Sequence, residues 1–192
     1  MYKTHAIILS ISRIRDNQTR IVMVSQEYGK ITGWWNKKNI TGIDLGDIIE
    51  VLISRDGGKN QIKNVDIKTP GWGRTWSYVR IVAFLETLRI IGKISIEGME
   101  CRGLYEDIAE FIKYGKTEDI NNGHNTIFQM RLLKSLGSMD REMLSNDPIL
   151  RYIYDNISHA PLSRILSSIN IKTEHISQIH QINLHSLYML ER

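Results

Sequence analysis

Cysteine is nearly absent from the 192-residue chain, which contains only Cys101. A single thiol excludes an intrachain disulfide and a zinc site built from cysteines alone. Proline is also rare, and no apolar run approaches the ~20 residues that span a bilayer. The first residues carry no signal-peptide pattern. We therefore expect a soluble protein of a reducing compartment, the cytoplasm.

Motifs that indicate an enzyme are also missing. The sequence contains no Walker loop, no Gly-rich dinucleotide fingerprint, no nucleophile elbow and no HExxH metal motif. His175, His180 and His185 share one predicted helix. Steps of five residues turn a helix about 140° past a full circle, so these histidines do not share a face that could hold a metal. We expect a protein that is not an enzyme and needs no cofactor or metal.

The formal net charge of +4 is confined to the first third of the chain. Residues 1–69 contain 11 Lys and Arg against 7 Asp and Glu, and the remaining residues contain 14 of each sign. A basic surface binds the phosphate backbone of nucleic acids without regard to sequence. An excess of this size also occurs on surfaces that have no partner. If the protein binds a polyanion, its N-terminal third is the place to look.

Residues 4–68 alternate short apolar runs with turn residues, a pattern typical of β-strands. Asp56-Gly57-Gly58 is the clearest hairpin turn, because glycine accepts the positive φ angles that tight hairpins need. Five short strands are expected to form a small closed barrel, which leaves no open edge, and an SH3-like barrel would give much the same pattern. The predicted strands cover residues 5–12, 20–25, 30–35, 47–55 and 61–68.

The strand pattern ends at Thr69-Pro70-Gly71, where proline removes a backbone donor. Beyond this point apolar residues recur at helical spacing. We predict an α+β chain with two domains, a β-barrel over residues 1–70 and an all-helical C-terminal domain over residues 74–192. The predicted helices cover residues 76–91, 99–114, 125–136, 148–156, 160–168 and 173–190.

The predicted barrel combines basic residues with tryptophans, and proteins that bind single-stranded nucleic acids use these two types of residue. Trp34 and Trp35 are adjacent in a strand, so one should enter the core and the other should face outward, where it could stack on a base. Trp35 is the candidate for stacking; in the alternative, both rings are packed. The basic candidates for DNA contact flank the first turn, the third strand and the hairpin: Arg13, Arg15, Arg20, Lys37, Lys38, Arg55, Lys59 and Lys63.

Several short motifs occur in the order found in one known family. They are Ala6-Ile7-Ile8-Leu9, Tyr28-Gly29-Lys30-Ile31-Thr32, Leu45-Gly46-Asp47-Ile48-Ile49-Glu50-Val51 and, after Phe128, Leu132-Leu133-Lys134-Ser135-Leu136-Gly137. Over residues 4–137 the chain resembles the RecO family of DNA recombination and repair proteins. The match depends on the order of the motifs across a barrel followed by helices.

This resemblance implies an N-terminal OB-fold, a helical C-terminal domain and a non-enzymatic recombination mediator. Proteins of the family bind single- and double-stranded DNA and anneal complementary strands. They work with RecR to load RecA onto DNA coated by single-stranded DNA-binding protein (SSB). Lys30 stands at the family's Gly-Lys position, which makes it the first candidate for DNA contact. The resemblance also implies a bacterial protein of the cytosol that associates with the nucleoid.

The chain departs from the family pattern at two places. Many members carry a four-cysteine zinc module after the Leu-Gly helix, but Ser138 and Met139 follow Gly137 here and no cysteine does. We therefore expect no structural zinc. The family also holds the acidic, Phe-ended tail of SSB in a basic pocket of its helical domain. The candidates for this contact are Phe128, Arg131 and Lys134. The alternative function is a protein-interaction scaffold with no direct DNA role.

Overall fold

The computed structural model describes residues 1–15, 17–36, 42–72, 76–98, 102–117, 121–144, 146–161, 164–165 and 172–190. Within these residues, five strands are followed by helices. The strands are β1 (Tyr2–Arg15), β2 (Gln18–Ser25), β3 (Gly29–Trp35), β4 (Ile48–Asp56) and β5 (Lys59–Thr69). The helices are α1 (Tyr78–Ile94), α2 (Arg102–Thr117), α3 (Asn122–Ser135), a short 3₁₀ helix (Arg141–Met143), α4 (Pro148–Asn156) and α5 (Thr173–Leu190).

The strands form a closed barrel in the order β1-β2-β3-β5-β4. Neighbouring strands are antiparallel except β3 and β5, which pair in parallel at only two positions, Gly33 with Asn60 and Trp34 with Gln61. A five-stranded barrel that is barely closed between two strands is the arrangement of the OB-fold. The predicted α+β architecture, with an OB-like barrel followed by helices, is therefore confirmed.

Four of the five predicted strands lie within longer observed strands, whereas β4 has the predicted length but begins and ends one residue later than predicted. The helices α4 and α5 have the predicted bounds, whereas α1, α2 and α3 begin and end within a few residues of theirs. The helix predicted over residues 160–168 falls mostly outside the described residues.

The interior of the barrel is an aliphatic core contributed by every strand. Its buried members are Ala6, Ile8, Ile21, Met23, Ile31, Ile49, Val51, Ile53 and Ile62. Close packing explains Gly33, because a Cβ at this position would lie 2.8 Å from the Ile62 side chain. The β4–β5 hairpin turns through Gly57 and Gly58, whose φ angles of 55° and 78° suit a tight turn with two positive-φ residues.

Asp47 holds together the loop that leads into β4. Its carboxylate is buried and accepts hydrogen bonds from the backbone N–H groups of Asp44 and Gly71, both at 2.7 Å. Beside it, Gly46 has a φ of 79°, and a Cβ there would lie 2.5 Å from the ring of Phe84 in α1. The Leu45-Gly46-Asp47 motif therefore has a structural role at the contact between this loop and α1.

Helix α1 packs on the outside of the barrel against β1 and β2. Ser77 caps its N-terminus, because the Ser77 hydroxyl accepts a hydrogen bond from the backbone N–H of Arg80. The helix buries Phe84, Leu88 and Ile91. The chain forms two compact units, Met1–Ile112 and Lys113–Arg192. The first unit therefore extends beyond residue 70, where the strands end, and includes α1, which buries its apolar face against the barrel.

Candidate nucleic-acid interface

Trp34, and not Trp35, faces the outside of the barrel. In β3 the buried residues Ile31 and Gly33 face the interior, and the alternation of a strand places Trp35 on the same face. Trp35 packs against the aliphatic core. The choice of Trp35 as the stacking residue is therefore corrected: its ring belongs to the barrel interior, and the outward ring is that of Trp34.

Two cations lie beside the Trp34 ring. Arg20 is the cross-strand partner of Trp34 in the β2–β3 pairing and is exposed. The Nζ atom of Lys59 lies 6.0 Å from the centroid of the Trp34 ring. Together with Ile14, Thr32 and Asn60, these residues line an open groove of about 480 Å³ on the outer face of β2 and β3. We call it the Trp34 groove.

Side-chain amides fix the geometry of this groove. Asn60 donates a hydrogen bond from Nδ2 to the backbone carbonyl of Thr32 at 3.1 Å, which ties β5 to β3 where their ladder is short. Asn36 accepts from Gln18 at 3.3 Å and donates to Gln61 at 3.1 Å, and so connects the end of β3 to β2 and β5. These bonds hold the outward side of β3 against two neighbouring strands.

The arginines of the first hairpin are exposed but are not among the residues that line the Trp34 groove. Arg13 and Arg15 precede the β1–β2 turn, opposite Thr19 and Gln18, and Ile14 between them lines the groove. The structure thus brings the first turn and the Gly57-Gly58 hairpin to the same groove. Loops at these two positions are those with which OB-folds hold oligonucleotides.

Lys30 has a different environment from the one expected of a freely exposed DNA contact. Its side chain is half-buried, and its Nζ atom donates a hydrogen bond of 2.6 Å to the carbonyl oxygen of Gly92. Gly92 lies in the last turn of α1, where carbonyl groups lack partners within the helix. Lys30 therefore links β3 to the end of α1, although it also lines a second cleft.

This second cleft has a volume of about 370 Å³ and lies next to the Trp34 groove. Arg55 and Lys30 supply its positive charge, and Tyr2 and Tyr28 supply two rings whose centroids are 4.6 Å apart. Burial raises the pKa of the Tyr2 hydroxyl, and the nearby Arg55 opposes this shift. We call it the tyrosine cleft.

Among the described residues, not every basic candidate lines one of the two clefts. Lys63 is exposed on β5 and is not among the residues that line the two clefts. Lys37 and Lys38 lie outside the described residues.

The residues of the second unit that were predicted to bind a partner make contacts within the unit itself. The Phe128 ring is completely buried, so its assignment to a partner surface is corrected. Arg131 donates a hydrogen bond to the carbonyl of Ala160 at 3.0 Å, and Lys134 donates one to the carbonyl of Tyr154 at 2.5 Å. Burial lowers the pKa of the Lys134 amine. Both cations fasten α3 to the segment formed by α4 and the residues after it.

The sequence did not single out Asn60 or the pair Tyr2 and Tyr28, and of the two adjacent tryptophans Trp35 was chosen in place of Trp34. A usable signal existed for Trp34: if Ile31 faces the core, then Gly33 and Trp35 must follow it inward and Trp34 must face out. No comparable signal existed for the tyrosines, because they meet through the pairing of β1 with its neighbours.

Comparison of the chain with models of protein families and with curated proteins finds no match. Among the described residues, no group of His, Cys, Asp and Glu is placed to hold a metal ion. In the same part of the chain, no helix is long and apolar enough to cross a membrane. The geometry of the barrel and the motifs in the sequence are therefore the features that bear on function.

Proposed function

We propose that the chain is a non-enzymatic DNA-binding protein that holds a single strand in the Trp34 groove. The observation that carries this proposal is the outward Trp34 ring with Arg20 and Lys59 beside it. An aromatic ring stacks on any base, and cations meet the phosphates, which together give affinity without sequence preference. The OB-like order of the strands supports the same function.

The proposal extends to a RecO-like recombination mediator. Such a protein binds single- and double-stranded DNA, anneals complementary strands and assists RecA loading together with RecR in DNA repair. The order of the sequence motifs and the sequence of a barrel followed by helices support this extension. Contacts with RecR and with the acidic tail of SSB follow from the resemblance alone. An SSB contact would have to use exposed residues, because Phe128 is buried.

The proposal is tested by the salt dependence of DNA binding. Affinity is measured by fluorescence anisotropy with a labelled single strand of about 20 nucleotides, which is longer than the usual site size of an OB-fold. We expect log affinity to fall linearly with log salt concentration, and each lost phosphate contact to reduce the slope by about 0.7. The double variant Arg20→Ala with Lys59→Ala should therefore bind more weakly, with a slope smaller by about 1.4.

Lys63→Ala is the matched control, since Lys63 is an exposed lysine of the same barrel that lines neither cleft. It should retain nearly the affinity and slope of the wild type. If Lys63→Ala weakens binding as much as Arg20→Ala or Lys59→Ala alone, the whole basic surface attracts DNA and the assigned site is wrong. If the wild type binds no DNA even at low salt, the protein-interaction scaffold becomes the better hypothesis for its function. Faster annealing of complementary strands by the wild type would support the mediator function.

A further inference from the structure

The tyrosine cleft is continuous with the Trp34 groove. The two share Gly58, Asn60 and Glu97 among the residues that line them. Both open along β3, the Trp34 groove at its end and the tyrosine cleft at its beginning. A polymer held in one is therefore led towards the other past Asn60.

The tyrosine cleft offers an aromatic surface of its own. The Tyr28 ring packs against the Tyr2 ring at a tilt of 54° and still exposes 42% of its surface. Tyr2 is half-buried and lines the same cleft, so its ring supports the more exposed Tyr28 ring. A supported, partly exposed ring is the kind of platform on which a base stacks.

The cleft is lined by two cations and two carboxylates, and Arg55 is its exposed cation. Arg55 is exposed and lines the cleft opposite Asn60, its cross-strand partner. Of the two carboxylates in the cleft, Glu27 is hydrogen-bonded to the hydroxyl of Thr4. Glu97 lies where the two clefts meet.

We propose that a single strand bound at Trp34 continues along β3 into the tyrosine cleft, where Tyr28 stacks on a second base and Arg55 contacts a phosphate. This inference rests on the proposed function and defines the length and path of its site. Tyr28 and Trp34 are six positions apart in the chain, a distance of about 20 Å at 3.3 Å per residue. A stacked strand covers that distance with about six nucleotides at 3.4 Å each.

Glu97 lies on this path, and its negative charge disfavours the passage of a phosphate. Residues 96–98 run beside the start of β3: Lys30 donates from its backbone N–H to the carbonyl of Ile96 at 3.4 Å, and Gly98 donates to the carbonyl of Lys30 at 3.3 Å. This backbone pairing holds the exposed Glu97 at the junction of the two clefts. A phosphate that passes from one cleft to the other is repelled there. Removal of this charge should strengthen binding only for strands long enough to cross the junction.

The test is the affinity of the full chain for oligothymidylates of about 3 to 12 nucleotides, measured at low salt by anisotropy or competition. We expect Tyr28→Ala to match the wild type on the shortest oligomers and to lose about 5-fold or more on those longer than about six nucleotides. Arg55→Gln should weaken binding of the same long oligomers, and Glu97→Gln should strengthen it. Tyr152→Ala removes an exposed tyrosine of α4 and should change nothing.

If Tyr28→Ala fails to fold, as judged by circular dichroism, Arg55→Gln and Glu97→Gln still decide the question because both residues are exposed. The inference is overturned if all three cleft variants bind long oligomers as the wild type does, while Trp34→Ala weakens binding. In that case the proposed function stands with a shorter site. If Trp34→Ala also leaves binding unchanged, the proposed function fails together with this inference.

Discussion

Two adjacent tryptophans should respond to alanine substitution in opposite ways. Trp35 packs against the barrel core and is half-buried. Loss of a fully buried Trp costs about 3 to 5 kcal/mol, so Trp35→Ala should lower the free energy of unfolding by about 2 kcal/mol. Trp34 faces outward, and Trp34→Ala should cost less than about 1 kcal/mol of stability.

The order reverses for DNA binding. Stacking contributes about 1 to 3 kcal/mol per base, so Trp34→Ala should raise the Kd for a single strand by about 5- to 150-fold. Trp35→Ala should leave the Kd within about 2-fold where the barrel is still folded.

Urea unfolding followed by tryptophan fluorescence measures the free energy of unfolding of the two variants. Trp34, Trp35, Trp72 and Trp76 are the only tryptophans of the chain, and all four belong to the unit Met1–Ile112. The signal therefore reports on the unit that contains the barrel, and each variant retains three tryptophans. Equal effects of the two substitutions on stability, or a larger loss of DNA binding in Trp35→Ala, would refute the assignment of faces in β3.

Two further predictions concern the stability of the two units. Asp47→Ala leaves the backbone N–H groups of Asp44 and Gly71 without their buried acceptor. At about 1 to 3 kcal/mol for each group, this substitution should destabilise the barrel unit by about 2 to 6 kcal/mol in urea unfolding, and a loss below about 1 kcal/mol would contradict this role. In the second unit, hydrogen bonding to Arg141 lowers the pKa of Asp155 from its ordinary value of 3.8, so the stabilisation is present above pH 3.8 and is lost as the pH falls below it. Asp155→Asn should remove that part of the acid sensitivity in thermal melts followed by circular dichroism, and an unchanged pH profile would contradict the assignment.

The sequence was sufficient for the fold because the strands have clear local signals. Gly57 and Gly58 have the positive φ angles expected of the hairpin, and the alternation of apolar residues locates all five strands. The extent of the first unit was not predictable, because the packing of α1 on the barrel depends on contacts such as that of Phe84 with Gly46. These contacts join residues far apart in the sequence.

The candidate site was predictable only in outline. Charge placed it on the barrel, and Arg20 and Lys59 were both among the candidates. The choice between Trp34 and Trp35 depended on which face of β3 enters the core, which the position of Ile31 indicates. Lys30 and Lys134 donate to the backbone carbonyls of Gly92 and Tyr154. A long basic side chain has no sequence signal that separates a ligand contact from such a structural bond.

The tyrosine cleft also could not be predicted from the sequence. Tyr2 and Tyr28 are distant in sequence, and neither was singled out, but β1 and the turn before β3 bring their rings to 4.6 Å. Glu97 comes from the segment after α1 and reaches the junction through its backbone pairing with β3. Long-range pairing, and not local pattern, assembles this part of the surface.

The most direct test of the account is a titration of the ¹⁵N-labelled protein with a single-stranded oligothymidylate, followed through the indole N–H signals of its four tryptophans. Trp34 is assigned from the spectrum of the Trp34→Phe variant. The account predicts that the Trp34 signal moves most, while those of Trp72 and Trp76, which pack around Phe84, stay in place. A saturable binding reaction that leaves the Trp34 signal unchanged would contradict the central claim that DNA is held on the outer face of β2 and β3.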